Sequence, residues 1–154
     1  MRNISDIIES YLKEVIQSSN SDVVEIKRSE IADRFECVPS QINYVINTRF
    51  TVEKGYFVES KRGGGGYIRI MRIRPKSKKE LVDEILMLSG KQLTQQSSID
   101  YIERLWEEGI ITGREAKLMS KIMHRDILSL PLPMRDELRA KIFREFLMTI
   151  KIYD

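Results

Sequence analysis

Pro39-Ser40-Gln41-Ile42-Asn43-Tyr44-Val45-Ile46-Asn47-Thr48-Arg49-Phe50 is the stretch on which the reading of this chain turns. At about 100° per residue, Ile42, Val45, Ile46 and Phe50 gather on one side of a helix. Ser40, Asn43, Tyr44, Asn47 and Thr51 gather on the other, with Gln41 and Thr48 at its edge. A surface helix normally solvates its outer face with Glu and Lys. This one offers short amides, hydroxyls and a phenol, the groups that can hydrogen-bond to base edges.

The flanking sequence sets this helix in a recognisable frame. Upstream, Ser29 is expected to cap a compact helix through Phe35 that buries Ile31, Ala32 and Phe35. Cys37 and Val38 make a tight turn, and Pro39 suits the first position of the next helix. Helix, turn and second helix at this spacing predict a helix-turn-helix. Further upstream, Ser5 is expected to cap an amphipathic helix carrying Ile7, Ile8, Tyr11, Leu12, Val15 and Ile16. The run from Ser18 to Asp22 breaks it, and Val23 to Ile26 has room only for a short extended segment.

Downstream, Gly55 to Arg62 and Tyr67 to Ile73 are rich in strand formers and flank Gly63, Gly64, Gly65 and Gly66. They predict a hairpin with Ile68 and Ile70 facing one way and Tyr67, Arg69 and Met71 the other. A hairpin after a helix-turn-helix makes a wing. The fold expected for residues 1–74 is a winged helix-turn-helix, a DNA-binding domain.

Arg74-Pro75-Lys76 reads as a linker, and residues 75–154 as an all-helical second domain of four helices. Ser77 to Glu80 is a capping box for a helix through Leu88 that Gly90 stops. Ser97 or Ser98 is expected to cap a helix from Ile99 to Glu108. Thr112 to Glu115 is another capping box, for a helix to about Leu128. After the stiff turn Leu130-Pro131-Leu132-Pro133, a long helix from Met134 to Ile152 places Leu138, Ile142, Phe146 and Ile150 at spacing four. The apolar supply of this half, Trp106, Leu118 and Ile122 included, exceeds what four short helices hide, so a homodimer through these helices is expected.

Charge separates the halves. From Lys27 to Lys76 there are eleven Lys and Arg against five Asp and Glu, an excess of +6; from Ser77 onward thirteen face thirteen. The first half therefore points at a polyanion, double-stranded DNA in the present reading. The candidate DNA contacts are Ser40, Gln41, Tyr44, Asn47 and Thr48 on the helix, Lys27 and Arg28 before the preceding helix, and Lys61, Arg62 and Gly63 to Gly66 in the wing. An Arg at such a tip can enter a narrow minor groove while the glycines let phosphates come close. Arg49 lies nearer the buried side of the wheel and reaches DNA only by snorkelling outward.

Other classes find little support. No apolar run approaches the roughly 20 residues of a membrane span, the N-terminal residues do not resemble a signal peptide, and one cysteine, Cys37, suits a reducing compartment. A cytoplasmic protein is expected. His124-Arg125-Asp126 resembles a kinase triplet, but neither the metal-binding Asn nor Asp-Phe-Gly follows. One His and one Cys in different domains leave no material for a metal site or a thiol nucleophile, so no enzyme, cofactor or metal is expected. The glycine tract lacks the Gly-Lys-Ser/Thr and following helix of a nucleotide loop.

Three segments carry a family resemblance: Ile4-Ser5-Asp6-Ile7-Ile8-Glu9, Val38 to Thr51, and Val58-Glu59-Ser60-Lys61-Arg62-Gly63-Gly64-Gly65-Gly66-Tyr67-Ile68-Arg69-Ile70. With Glu107 to Thr112 and Arg135 to Lys141, they resemble the CtsR family, the class-three stress gene repressors of Gram-positive bacteria, over essentially the whole chain. The resemblance implies a dimeric winged-helix repressor of Clp protease and chaperone operons that binds tandem short repeats. It further implies a heat-sensing wing with Gly64 in that role, and Arg62 as a DNA-contacting arginine. Phosphorylation by the protein-arginine kinase McsB with McsA, and degradation by ClpC and ClpP, are implied too. The competing reading from the residues alone is a winged-helix adaptor for a protease complex without specific DNA binding.

Overall fold

Asn3, not Ser5, starts the first helix: its side chain accepts from the Asp6 amide at 2.9 Å while the Asp6 carboxylate accepts from the Asn3 amide. Ser5 is instead a buried residue inside the helix. The computed structural model describes residues 3–61 and 66–153, which fall into two units, Met1–Arg74 and Pro75–Asp154.

The first unit runs α1 (Ile4–Ser18), β1 (Val23–Lys27), α2 (Arg28–Arg34), α3 (Pro39–Arg49), β2 (Tyr56–Ser60) and β3 (Tyr67–Arg72). Ile8, Leu12 and Ile16 of α1 meet Ile42, Val45, Ile46 and Phe50 in one core, closed beneath by Ile68 and Ile70. Each such side chain contributes about 1.5–3 kcal/mol by leaving water. Between α2 and α3, Glu36 takes a positive φ of 52° and the Cys37 amide reaches back to the Ala32 carbonyl at 2.9 Å, which closes the tight turn. No side chain caps α2; it begins directly where β1 ends, so the cap expected at Ser29 is not used.

The hairpin has a third strand. The sheet order is β1-β3-β2, antiparallel throughout, with Val24 opposite Ile70 and Val58 opposite the same residue from the other side. The short extended segment after α1 thus completes the sheet, and its Lys27 pairs with Tyr67 at the wing end. At the opposite end, Asp22 and Arg74 form a two-pronged ion pair at 2.7 and 3.1 Å.

The second unit is four helices: α4 (Lys78–Ser89), α5 (Gln95–Glu107), α6 (Gly113–Met123) and α7 (Met134–Tyr153). Ser77 caps α4 through the Glu80 amide, and Thr112 with Glu115 forms the full capping box of α6. α5 starts four residues earlier than Ser98 would allow, because Thr94 accepts from the Ser97 amide. α6 ends at Met123 rather than near Leu128, the chain turning extended at His124. On α7 the deeply buried line is Arg139, Ala140, Phe143 and Leu147; Ile142, Phe146 and Ile150 flank it half-buried. Trp106 and Leu118 remain 52% and 57% exposed, the apolar surplus expected of a chain that pairs with a copy of itself.

Candidate nucleic-acid interface

The buried face of α3 fixes what its other face presents. With Ile42, Val45 and Ile46 locked in the core, Ser40, Asn43, Tyr44, Asn47 and Thr48 are all exposed, Tyr44 by 55% of its surface. No acid or lysine stands among them, so the Asn47 amide and the Tyr44 phenol project from a face whose own residues carry no charge. The Thr48 hydroxyl donates back to the Tyr44 carbonyl at 2.7 Å, which leaves its oxygen lone pairs and methyl outward.

Two residues at the edge of this face are committed elsewhere. Gln41 is half-buried and donates to the Ser5 hydroxyl at 2.7 Å, tying the start of α3 to α1. Arg49 turns toward α1, meeting Asp6 at 3.0 Å and Glu9 at 2.8 Å, while Lys13 meets Glu9 at 2.8 Å from its other side. Burial raises the Glu9 pKa, but the hydrogen bonds and charges of Lys13 and Arg49 outweigh it and hold the carboxyl below its usual value. Burial likewise opposes the Arg49 charge and is outweighed by Glu9 and Asp6, so the guanidinium is held more firmly protonated.

The wing stands beside α3 and carries its own cations. The Lys27 ammonium lies 5.1 Å from the centroid of the Tyr67 ring, within cation–π range. Arg28 lies between the two elements: its Nε donates to the Asn43 side-chain Oδ1 at 2.5 Å and its Nη2 to the Ser60 hydroxyl at 3.2 Å. Lys61 is exposed, and its amide donates to the Tyr67 carbonyl at 3.0 Å to close the loop end of the hairpin. Gly66 has φ +65°, a left-handed conformation that a side chain strains. Arg62, Gly63, Gly64 and Gly65 lie outside the described residues.

Among the described residues no group of His, Cys, Asp and Glu is placed to hold a metal ion, and no helix is long and apolar enough to cross a membrane. The second unit holds an open apolar groove of about 660 Å³ between α5 and α6, walled by Ile99, Ile102, Trp106, Ala116 and Ile127.

Sequence reasoning reached the exposed face of α3 through its period, but missed the bridging contacts of Arg28. No local pattern signals them, since Asn43 and Ser60 lie 15 and 32 residues away.

A helix-turn-helix whose reading face is amide-rich, a basic three-stranded wing beside it and a separate helical unit define a winged helix-turn-helix regulator. The comparisons with known proteins make the assignment specific. The model of the CtsR N-terminal HTH domain matches residues 3–74, and that of the CtsR C-terminal dimerization domain matches residues 77–148. The chain is similar to the transcriptional regulator CtsR of Geobacillus stearothermophilus, 59% identical over 98% of this chain and 99% of that protein. It is 55% identical to the transcriptional regulator CtsR of Bacillus subtilis (strain 168), over 97% of each. It also superposes on a crystal structure of CtsR in complex with a 26-bp DNA duplex, with a TM-score of 0.92 and 59% identity over 97% of this chain and 99% of that one. The chain belongs to the CtsR family.

Proposed function

We propose that this chain is a sequence-specific DNA-binding transcriptional repressor that acts as a homodimer. The observation that carries the reading is the exposed face of α3, where Tyr44, Asn47 and Ser40 stand clear of charge beside a basic wing. Such a helix lies in the major groove, where amides and hydroxyls can distinguish base pairs, and a wing reaches the neighbouring minor groove. A relative solved in complex with a 26-bp DNA duplex supports double-stranded DNA as the partner. The helical second unit, matched by a dimerization-domain model and leaving Trp106 and Leu118 outside its core, joins two such readers on paired half-sites.

The finer reading follows the family. The operators are tandem short repeats ahead of Clp protease and chaperone stress genes. Arg62 and the glycines from Gly63 to Gly66 form the groove-entering tip, with Lys27 and Lys61 along the phosphates and Arg28 between the wing and α3. Release follows warming or phosphorylation of arginine by McsB with McsA, and ClpC and ClpP remove the freed repressor in the cytoplasm. A phosphate on a guanidinium replaces a cation by a net negative group at the DNA surface, which is enough to reverse the attraction locally.

The test is selection of duplexes from a random pool by the purified protein, followed by anisotropy titrations of selected and scrambled duplexes at two salt concentrations and two temperatures. A repressor enriches one repeat and prefers it by about a thousandfold or more over scrambled duplex. Equal, purely salt-dependent binding to both would sink the reading.

A further inference from the structure

We propose that Arg28 is a positioning residue that locks the wing to the recognition helix, so that α3 and the hairpin meet DNA as one rigid reader. The inference rests on the DNA-binding reading above and deepens it.

Arg28 stands where three elements converge. It is the first residue of α2 and follows Lys27, the last residue of β1, which pairs with Tyr67 at the wing end of β3. A cation at a helix N-terminus opposes the helix dipole, so local helix stability does not account for an arginine here. Its side-chain contacts do. Nε donates to Asn43 on α3, and Nη2 donates to Ser60, the last residue of β2. Nη1 faces Gly66 across the hairpin, 3.8 Å from where a Cβ would stand. One planar guanidinium therefore bonds the recognition helix and the end of β2, and lies beside the glycine that precedes β3.

Arginine is suited to this because its fork presents donors in fixed directions. Lysine carries the same charge as a single rotatable point and lacks the rigid fork that aims one donor at Asn43 and another at Ser60. The role differs from a plain phosphate contact, which needs only the charge. It also explains why Asn43, exposed on the reading face, does not present its amide freely: the side-chain oxygen is held by Arg28.

The discriminating variant is Arg28→Lys in the full-length protein, beside Arg28→Gln, Ser60→Ala and the Arg28→Lys/Ser60→Ala double variant. Discrimination between selected and scrambled duplex should fall about tenfold in Arg28→Lys, the equivalent of one base contact. The slope of affinity against salt should change by less than about half a unit, since no charge is lost. Exchange of the Lys61 amide, bonded to the Tyr67 carbonyl at 3.0 Å at the loop end of the hairpin, should quicken in the DNA-free protein. Ser60→Ala should weaken discrimination in the parent and add little to Arg28→Lys, as expected of one shared interaction.

Parent-like discrimination and parent-like Lys61 exchange in Arg28→Lys overturn the proposal. So does loss confined to Arg28→Gln with the salt slope reduced by about one unit, which marks an ordinary phosphate contact. If the parent protein itself shows no duplex preference, the DNA-binding reading fails, and Lys61 exchange alone decides whether Arg28 holds the wing.

Discussion

The Arg49 guanidinium donates to the Glu9 carboxylate at 2.8 Å, fastening the last turn of α3 to the middle of α1. Glu9 shows 17% of its side chain to solvent and Arg49 27%, so the pair is only partly screened. Glu9→Gln should lower the stability of the N-terminal unit by roughly 1 kcal/mol, with Arg49 keeping Asp6. The pH dependence has a definite sign. Because the folded Glu9 carboxyl titrates below its unfolded value, the unfolded chain binds the proton first, and this stability is present above about pH 4.5 and lost as pH falls through the folded value. Urea titrations between pH 3 and 6, at roughly half-unit steps, should show a shallower acid decline in Glu9→Gln than in the parent. An identical slope in both would remove Glu9 from the account.

Asn47→Ala and Tyr44→Ala should each reduce affinity for a selected duplex by about 1–3 kcal/mol, the range of a lost base contact. Affinity for scrambled duplex and the thermal midpoint should stay close to the parent, since both side chains project from the exposed face of α3. Anisotropy and a thermal melt on the same samples separate the two effects.

Arg62→Ala, on the family reading of the wing, should weaken binding to the selected duplex while the protein stays dimeric by sedimentation. If Arg62 meets a phosphate, the salt slope falls by about one unit as well.

Gly90 ends α4 with φ 62° and ψ −153°, a region that is essentially glycine's alone. A Cβ there would meet no atom within 4 Å, so the penalty for Gly90→Ala is one of backbone conformation rather than crowding. It should cost about 1–3 kcal/mol, and Gly90→Asn should recover little of it, because asparagine favours the left-handed helical region rather than this one. Chemical denaturation of both variants checks the ordering.

Arg139 is 1% exposed, and its guanidinium donates to the Met123 carbonyl at 2.8 Å, to the Leu93 carbonyl at 2.9 Å and to Asp136. Arg139→Met keeps much of the volume but strands two carbonyls and a carboxylate. A loss of about 3–5 kcal/mol is expected, the cost of breaking a buried ionic network from one side. A loss below about 1 kcal/mol by urea titration would show that water takes over those acceptors.

Periodicity explains which parts of the fold are legible in the sequence. Ile42, Val45, Ile46 and Phe50 recur at helical spacing, and that alone orients Tyr44 and Asn47 outward. The alternation of Ile68 and Ile70 likewise identifies the buried side of the wing strand. Caps are less legible, because Asn3 and Ser5, or Thr94 and Ser97, are equally good candidates until backbone geometry chooses between them. Long-range polar contacts are not legible at all. The Arg28 bridge and the seat of Arg139 join residues many positions apart through the fold, and Arg139 occupies a buried position on α7 that a hydrophobic pattern passes over.

β3 is the middle strand, bonded to β1 on one edge and β2 on the other. Val23 opposite Met71 and Lys27 opposite Tyr67 therefore stitch together the two ends of a segment that contains α2, α3 and β2. The helix-turn-helix is in this sense an insertion into a strand pair, not a module followed by an appendage. A chain ending at Ser60 would keep every residue of both helices and still lose the strand that closes the loop around them. Its ordering entropy would then go unrecovered, and such a fragment is expected to be unfolded rather than merely wingless.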